Sequence, residues 1–170
     1  MSGGFPLYFP VDRTLTNRWN SSEHLYQASK YSPSVECISE ESGSTITFIQ
    51  KRIRNQASPR GAKMTQKCGE KRGVIRYEWD EIKVDVMTWV IELKLHANYH
   101  SEFGRSLMSS KGKDIVEVSK KDDFWGTKEV SPGVLIGHNH LGRVLTNVRN
   151  RASEIIKGNF SFPEGFLLTD

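Results

Sequence analysis

The sequence predicts a helix-dominated α+β fold, a single domain over residues 1–170 built around a small β-sheet. Three observations carry that expectation. Residues 79–98 hold apolar side chains at helical spacing for about five turns, the strongest periodicity in the chain. Shorter stretches with helix-start signals flank it, whereas strand-like patterning is confined to residues 5–18 and 114–119. A length of 170 residues suits one sizeable core.

Taken in order, Phe5 to Arg18 is rich in aromatic and β-branched residues and broken by Pro6 and Pro10, which predicts one or two short strands or an extended edge. Asn20 resembles an N-cap with Glu23 as its reciprocal partner, opening a short helix to about Tyr31. Ser32 to Ser44 reads as a loop. Thr45 to Asn55 carries Ile46, Ile49 and Ile53 at helical spacing, and Ser58-Pro59 opens another helix ending near Gly69. In Trp79 to Asn98 the expected buried stripe is Ile82, Val86, Val90, Leu93 and Ala97. A short helix over Ser101 to Ser110, a strand over Asp114 to Ser119 and a turn-rich segment from Lys120 to His138 follow. The last expected element is a helix from about Leu141 to Lys157. No internal repeat, linker or low-complexity tract interrupts the chain.

Bulk composition narrows the classes. Hydrophobic residues make up 36% and charged residues 26%, as in ordinary globular chains. The richest apolar stretch, Val84 to Leu95, is interrupted by Asp85, Glu92 and Lys94, so no membrane span is expected. The N-terminus lacks a basic start and apolar core, and Cys37 and Cys68 fit no disulfide or metal spacing. A reducing, cytoplasmic location follows as the expectation. The net charge is only +4, yet Lys51 to Arg76 holds nine basic side chains and one acid, Glu70, for a local +8. The other residues carry 15 basic and 19 acidic side chains. Such segregation suits phosphate-bearing partners, and suits a solvated helix face equally well.

Three places offer chemistry. Glu23, Gln27 and Lys30 stand at i, i+4 and i+7, so a carboxylate, an amide and an amine share one helical stripe. The same residues also fit a capping acid and a solvated lysine. Asp122-Asp123-Phe124-Trp125-Gly126 can cradle a sugar or stack a base, or can simply form a tight turn. Gly137-His138-Asn139-His140-Leu141-Gly142 places flexible backbone at a helix start, a geometry suited to phosphate. The triplet His138-Asn139-His140, even with His24, lacks the context of a metal nuclease or zinc site, and no metal is assigned.

These signals fall in a collinear order. Ser22-Glu23-His24-Leu25-Tyr26-Gln27-Ala28-Ser29-Lys30-Tyr31 resembles the S-E-H-x-x-Q-A-x-K-F block of the NADAR superfamily of YbiA-like N-glycosidases. Trp79, Lys83, Met87 and Lys94 resemble its W-x3-K-x3-M-x6-K helix. Val116-Glu117 with Asp122-x-x-Trp125-Gly126 is similar to its V-E…D-x-x-W-G block, and Gly137-x-Asn139-x-Leu141-Gly142 with Leu145 and Arg149 to its closing block. The resemblance covers about residues 11–151. The sequence departs from it before the first strand and at Thr127-Lys128-Glu129.

The resemblance implies a YbiA-like fold and hydrolysis between ribose C1 and an exocyclic amine, with no cofactor. The family substrates it brings are ADP-ribose on guanine in nucleic acid and phosphoribosylamino-pyrimidine intermediates of riboflavin synthesis. The first is favoured here by the basic stretch, making the chain an ADP-ribosyl-guanine hydrolase that reverses ADP-ribosylation. A binding module that holds ADP-ribose or a nucleotide without cleaving it is the rival from another class. Implied catalytic residues are Glu23, then Asp122, as carboxylates beside the positive charge building at C1, and Lys30 as an amine able to capture a ring-opened imine. Only about one free lysine in a few thousand is neutral at pH 7, so that role requires desolvation or a neighbouring cation. Substrate contacts are implied for His24, Gln27, Trp79, Trp125, Gly126, Gly137, Asn139 and Gly142.

Overall fold

The computed structural model describes residues 7–8, 18–31, 48–70 and 75–163. Two compact units divide the chain, residues 1–86 with 162–170 and residues 87–161.

In the first unit, β1 (Leu7–Tyr8) pairs antiparallel with β2 (Arg18–Trp19), Leu7 facing Trp19. Helix α1 (Ser22–Ala28) starts one residue later than expected. Ser21, in extended backbone, is the N-cap and its Oγ accepts from the His24 N–H at 3.4 Å, whereas Asn20 donates to the Arg54 and Gln56 carbonyls. Glu23 therefore completes no capping box with Asn20. Helices α2 (Phe48–Arg54) and α3 (Pro59–Glu70) pack on α1 and on each other. Ile53 and Ala62 are fully buried; Ile46 lies outside the described residues. The C-terminal end of α1 is tied down from three directions. Gln50 donates to the carbonyls of Ala28 and Tyr31, Arg76 donates to those of Lys30 and Tyr31, and the Tyr31 hydroxyl donates to the Gln66 carbonyl at 2.7 Å.

Helix α4 (Trp79–Ala97) carries Asp80 and Glu81 in its first turn, where acids meet the positive end of the helix dipole, and Lys94 and His96 in its last. The unit boundary falls inside α4, between Val86 and Met87. The expected stripe is only partly right. Val86, Val90 and Leu93 are buried, Ile82 is half-buried, and Ala97 is exposed. From Trp89 to Leu95 every residue is buried, polar Glu92 and Lys94 included, so this stretch is enclosed on all sides rather than along one stripe.

The second unit continues with α5 (Glu102–Ser109), whose Phe103 and Leu107 are buried. The expected strand over 114–119 forms only one isolated parallel bridge, between Val118 and Thr127. The turn-rich segment instead contains a hairpin, β3 (Lys128–Ser131) antiparallel to β4 (Val134–Ile136), closed by Pro132-Gly133 with Gly133 at φ +77°. The expected final helix is two. Helix α6 (His140–Asn150) ends where Arg151 leaves helical geometry, and α7 (Ala152–Ile156) follows. Arg151 reaches the buried Glu92 carboxylate and the Ser161 hydroxyl, which explains the break. Val144, Leu145, Val148, Ala152 and Ile155 supply the buried apolar face of α6 and α7. Among the described residues no helix is long and apolar enough to cross a membrane.

Candidate active site

Within the first unit, Glu23, Tyr26 and Gln27 of α1 and Lys30 just beyond it stand at i, i+3, i+4 and i+7 and make two separate contacts, Glu23 with Gln27, and Tyr26 and Lys30 each with Trp79. Gln27 Nε2 donates to Glu23 Oε1 at 2.8 Å. The Tyr26 ring packs against Trp79 with centroids 5.2 Å apart, and Lys30 Nζ lies 5.8 Å from the Trp79 ring centroid. Lys30 stands just past the helix end rather than inside it. Ser29 stays in αR geometry and bonds Leu25, and the three-way tie on residues 28–31 fixes where the amine emerges.

The bond to Glu23 also orients Gln27. A carboxylate only accepts, so the amide nitrogen must face it and the amide oxygen must face away. That oxygen is buried and has no hydrogen-bond partner among the described residues. Leaving such a group unmet costs about 1–3 kcal/mol, so Oε1 stands ready for an incoming donor. Glu23 is half-buried, and among the described residues its second oxygen accepts no hydrogen bond. Lys30 is half-buried as well.

His24 is placed differently from the substrate contact expected of it. It is 1% exposed, its Nδ1 lies 2.7 Å from Ser21 Oγ and its Nε2 lies 3.0 Å from the Gln56 carbonyl. Both ring nitrogens hold the helix start against the α2–α3 connection, which leaves the ring nothing to offer a ligand.

In the second unit the late motif residues lock one another. Asp122 Oδ1 accepts from the Phe124 and Trp125 N–H groups at 3.1 and 2.9 Å, closing a tight turn. Asn139, in left-handed geometry at φ 52°, accepts from the Glu117 N–H at 3.0 Å and donates to the Ile115 carbonyl at 2.9 Å. The three glycines permit this packing. A Cβ on Gly126 would meet the Glu117 oxygen at 2.7 Å, one on Gly137 the Gly126 oxygen at 2.4 Å, and one on Gly142 the Ile115 oxygen at 2.1 Å. Arg149 clamps the carbonyls of Ser110 and Lys113. The expected phosphate cradle at the start of α6 is overturned: the N–H groups of His138, Asn139, His140 and Leu141 donate to the carbonyls of Asp123, Gly126, Phe124 and Trp125.

Around that turn Phe124 packs at a tilt against His140 with centroids 4.3 Å apart and meets Trp125 edge-on, so half-buried Trp125 belongs to an aromatic cluster. An open groove of about 610 Å³ is lined by residues 114–116 and by α6, Asn139, Arg143 and Asn147 among them.

The burial of two cations was not expected from the sequence, although Lys94 stands in the motif helix. Arg76 was one of nine charges in a basic stretch, yet it is 5% exposed and holds the end of α1; burial lowers its pKa, partly offset by Glu78 at 3.3 Å. Lys94 is 2% exposed, its Nζ lies 4.2 Å from the Phe103 ring centroid, and burial lowers its pKa to about 8. For Lys94 the available signal was its place between apolar Leu93 and Leu95.

The family model of the NADAR domain matches residues 7–152. The chain belongs to the NADAR domain family. It is 27% identical over 136 residues to N-glycosidase YbiA of Shigella flexneri, covering 79% of this chain and 71% of that protein. A riboflavin biosynthesis protein of Vibrio vulnificus is 26% identical over 148 residues, 86% of this chain and 35% of its own length. A chloroplastic riboflavin biosynthesis protein of Zea mays is 29% identical over 78% of this chain and 19% of itself. This NADAR chain thus spans about a third of the Vibrio relative and a fifth of the maize one. The NMR structure of the Escherichia coli protein YbiA superposes with a TM-score of 0.60 at 23% identity, covering 89% of this chain and 74% of that one, and so shares the helix-rich fold.

Proposed function

We propose that this NADAR chain is an N-glycosidase that hydrolyses the bond between ribose C1 and an exocyclic amine, removing ADP-ribose from guanine in nucleic acid. The observation that carries the reading is the α1 stripe, where a half-buried carboxylate with one open oxygen sits beside an amide whose oxygen awaits a donor. As the C–N bond breaks, positive charge builds at C1 and an electron pair leaves with the amine. A preorganised carboxylate stabilises that charge more than the ground state, an effect of about 10²–10³ in rate for one well-placed group. Glu23 fills that role, with its second oxygen also able to take a proton from attacking water. Gln27 Oε1 accepts from a ribose hydroxyl, and Trp79 offers an aromatic wall to the base. In an alternative path the ribose ring opens, with its ring oxygen taking a proton, to an imine still bonded to the base nitrogen. Lys30 then adds to C1, the base leaves as the protonated amine, and water hydrolyses the lysine imine to return the sugar aldehyde and the free lysine. In the second unit Asp122 keeps Oδ2 outside its turn, since only Oδ1 is engaged there.

A second reading, hydrolysis of phosphoribosylamino-pyrimidine intermediates, draws support from the names of the Vibrio and maize relatives. Both readings share the bond and differ in the carrier. Incubating the protein with an ADP-ribosylated-guanine oligonucleotide and with a phosphoribosylamino-pyrimidine, and following released sugar by chromatography, separates them. Release of ADP-ribose from the oligonucleotide is expected. Release only from the pyrimidine selects the second reading, and tight binding with no release from either makes the chain a binding module.

A further inference from the structure

On α3 the exposed residues Arg60, Lys63, Met64 and Lys67 stand at i, i+3, i+4 and i+7, one stripe opposite buried Ala62 and Gln66. We infer that this stripe is the docking track for a single strand of nucleic acid flanking the modified guanine, an inference that rests on the proposed nucleic-acid substrate.

Its exposed charges are all of one sign, and this rather than the lack of ion pairs sets it apart, since exposed Lys111, Lys113, Lys120 and Lys121 also make no ion pair among the described residues. Arg60, Lys63 and Lys67 make no ion pair among the described residues, and residues 48–67 contain six basic side chains and no acid. The arrangement also works against the helix that bears it. Arg60 lies in the first turn of α3, which has no acid, so a cation meets the positive end of the dipole. Lys63 and Lys67 repel at i, i+4. A polyanion relieves both conflicts at once.

The dimensions agree. Arg60 to Lys67 spans about 10 Å along the axis, the rise of roughly three stacked nucleotides at ~3.4 Å each. Met64, 59% exposed between the cations, supplies an apolar contact for a sugar or base where a purely electrostatic face has no use for one.

The test uses an unmodified fluorescent 15-nucleotide single strand, so that its outcome does not depend on hydrolysis. Binding is followed by anisotropy across salt concentrations for the wild type and for the triple variant Arg60→Gln, Lys63→Gln, Lys67→Gln, with circular dichroism verifying the fold. A second variant, Met64→Ser, leaves the charges in place. The wild type is expected to show steep salt dependence. The triple variant should bind at least tenfold more weakly near 100 mM salt, with the log–log slope reduced by about 2. Met64→Ser should weaken binding severalfold at unchanged slope. Equal binding by the folded triple variant overturns the inference, as does equal wild-type affinity for phosphatidylserine vesicles. Salt-dependent binding by a wild type that cleaves neither substrate leaves the stripe standing and removes the proposed activity.

Discussion

The start of α1 and the turn between residues 115 and 142 both carry family motifs, yet the amide in each is treated in opposite ways. In the late segment, Asn139 has both amide atoms on backbone, Asp122 has one oxygen on two N–H groups, and the first N–H groups of α6 meet loop carbonyls. In α1, Gln27 Oε1 is buried and meets no donor among the described residues, while Glu23 and Asp122 alike keep one carboxylate oxygen unbonded. The contrast teaches that a motif match names residues a fold keeps, while only hydrogen-bond accounting tells the scaffold from the chemistry.

The strongest way to break this comparison is Asn139→Ala. Removing the amide leaves the Glu117 N–H and the Ile115 carbonyl unmet, a loss of about 3 kcal/mol and roughly 6–12 °C in Tm. Thermal melts should show that loss, with turnover per folded molecule preserved. A stable but inactive variant would move Asn139 into the site.

Lys94 sharpens the comparison from the other side, as a buried amine outside both clusters. Its folded pKa of about 8 lies below the ~10.4 of an unfolded lysine. Below pH 8 the charged form is buried and its destabilisation is complete. Between pH 8 and about 10.4 the unfolded state binds more protons, so stability rises with pH as the penalty is relieved. Lys94→Met is therefore expected to stabilise the protein by about 2–3 kcal/mol at pH 7, and the gain should shrink across that window. Denaturant midpoints measured from pH 7 to 10.5 report it; a gain constant with pH contradicts the assignment.

The smallest effect is expected for Asp122→Asn, which keeps the accepting oxygen of the turn and removes only charge. Its stability should stay within about 1 kcal/mol of the wild type in the same melts.

Much of this was legible in the sequence. Periodicity located α3 and α4 to within a residue or two, because Pro59 and the apolar spacing after Trp79 are local signals. The i, i+4 spacing put Glu23 and Gln27 in hydrogen-bond contact, while Lys30 lies past the helix end beside Trp79. The hairpin at 128–136 was hidden because its Val130, Val134, Leu135 and Ile136 are exposed, so no alternation between buried and exposed positions marks it. The break at Arg151 and the engagement of His24 and Asn139 depend on partners 59, 32 and 22–24 residues away, which no local pattern encodes.

Measuring kcat/KM for sugar release by folded Glu23→Gln and folded Asp122→Asn, side by side on one substrate, tests the account most directly. Glu23→Gln is expected to lose about 10²–10³-fold and Asp122→Asn less than about tenfold. Full turnover by Glu23→Gln, with the large loss falling on Asp122→Asn, would contradict it and move the chemistry to the late turn.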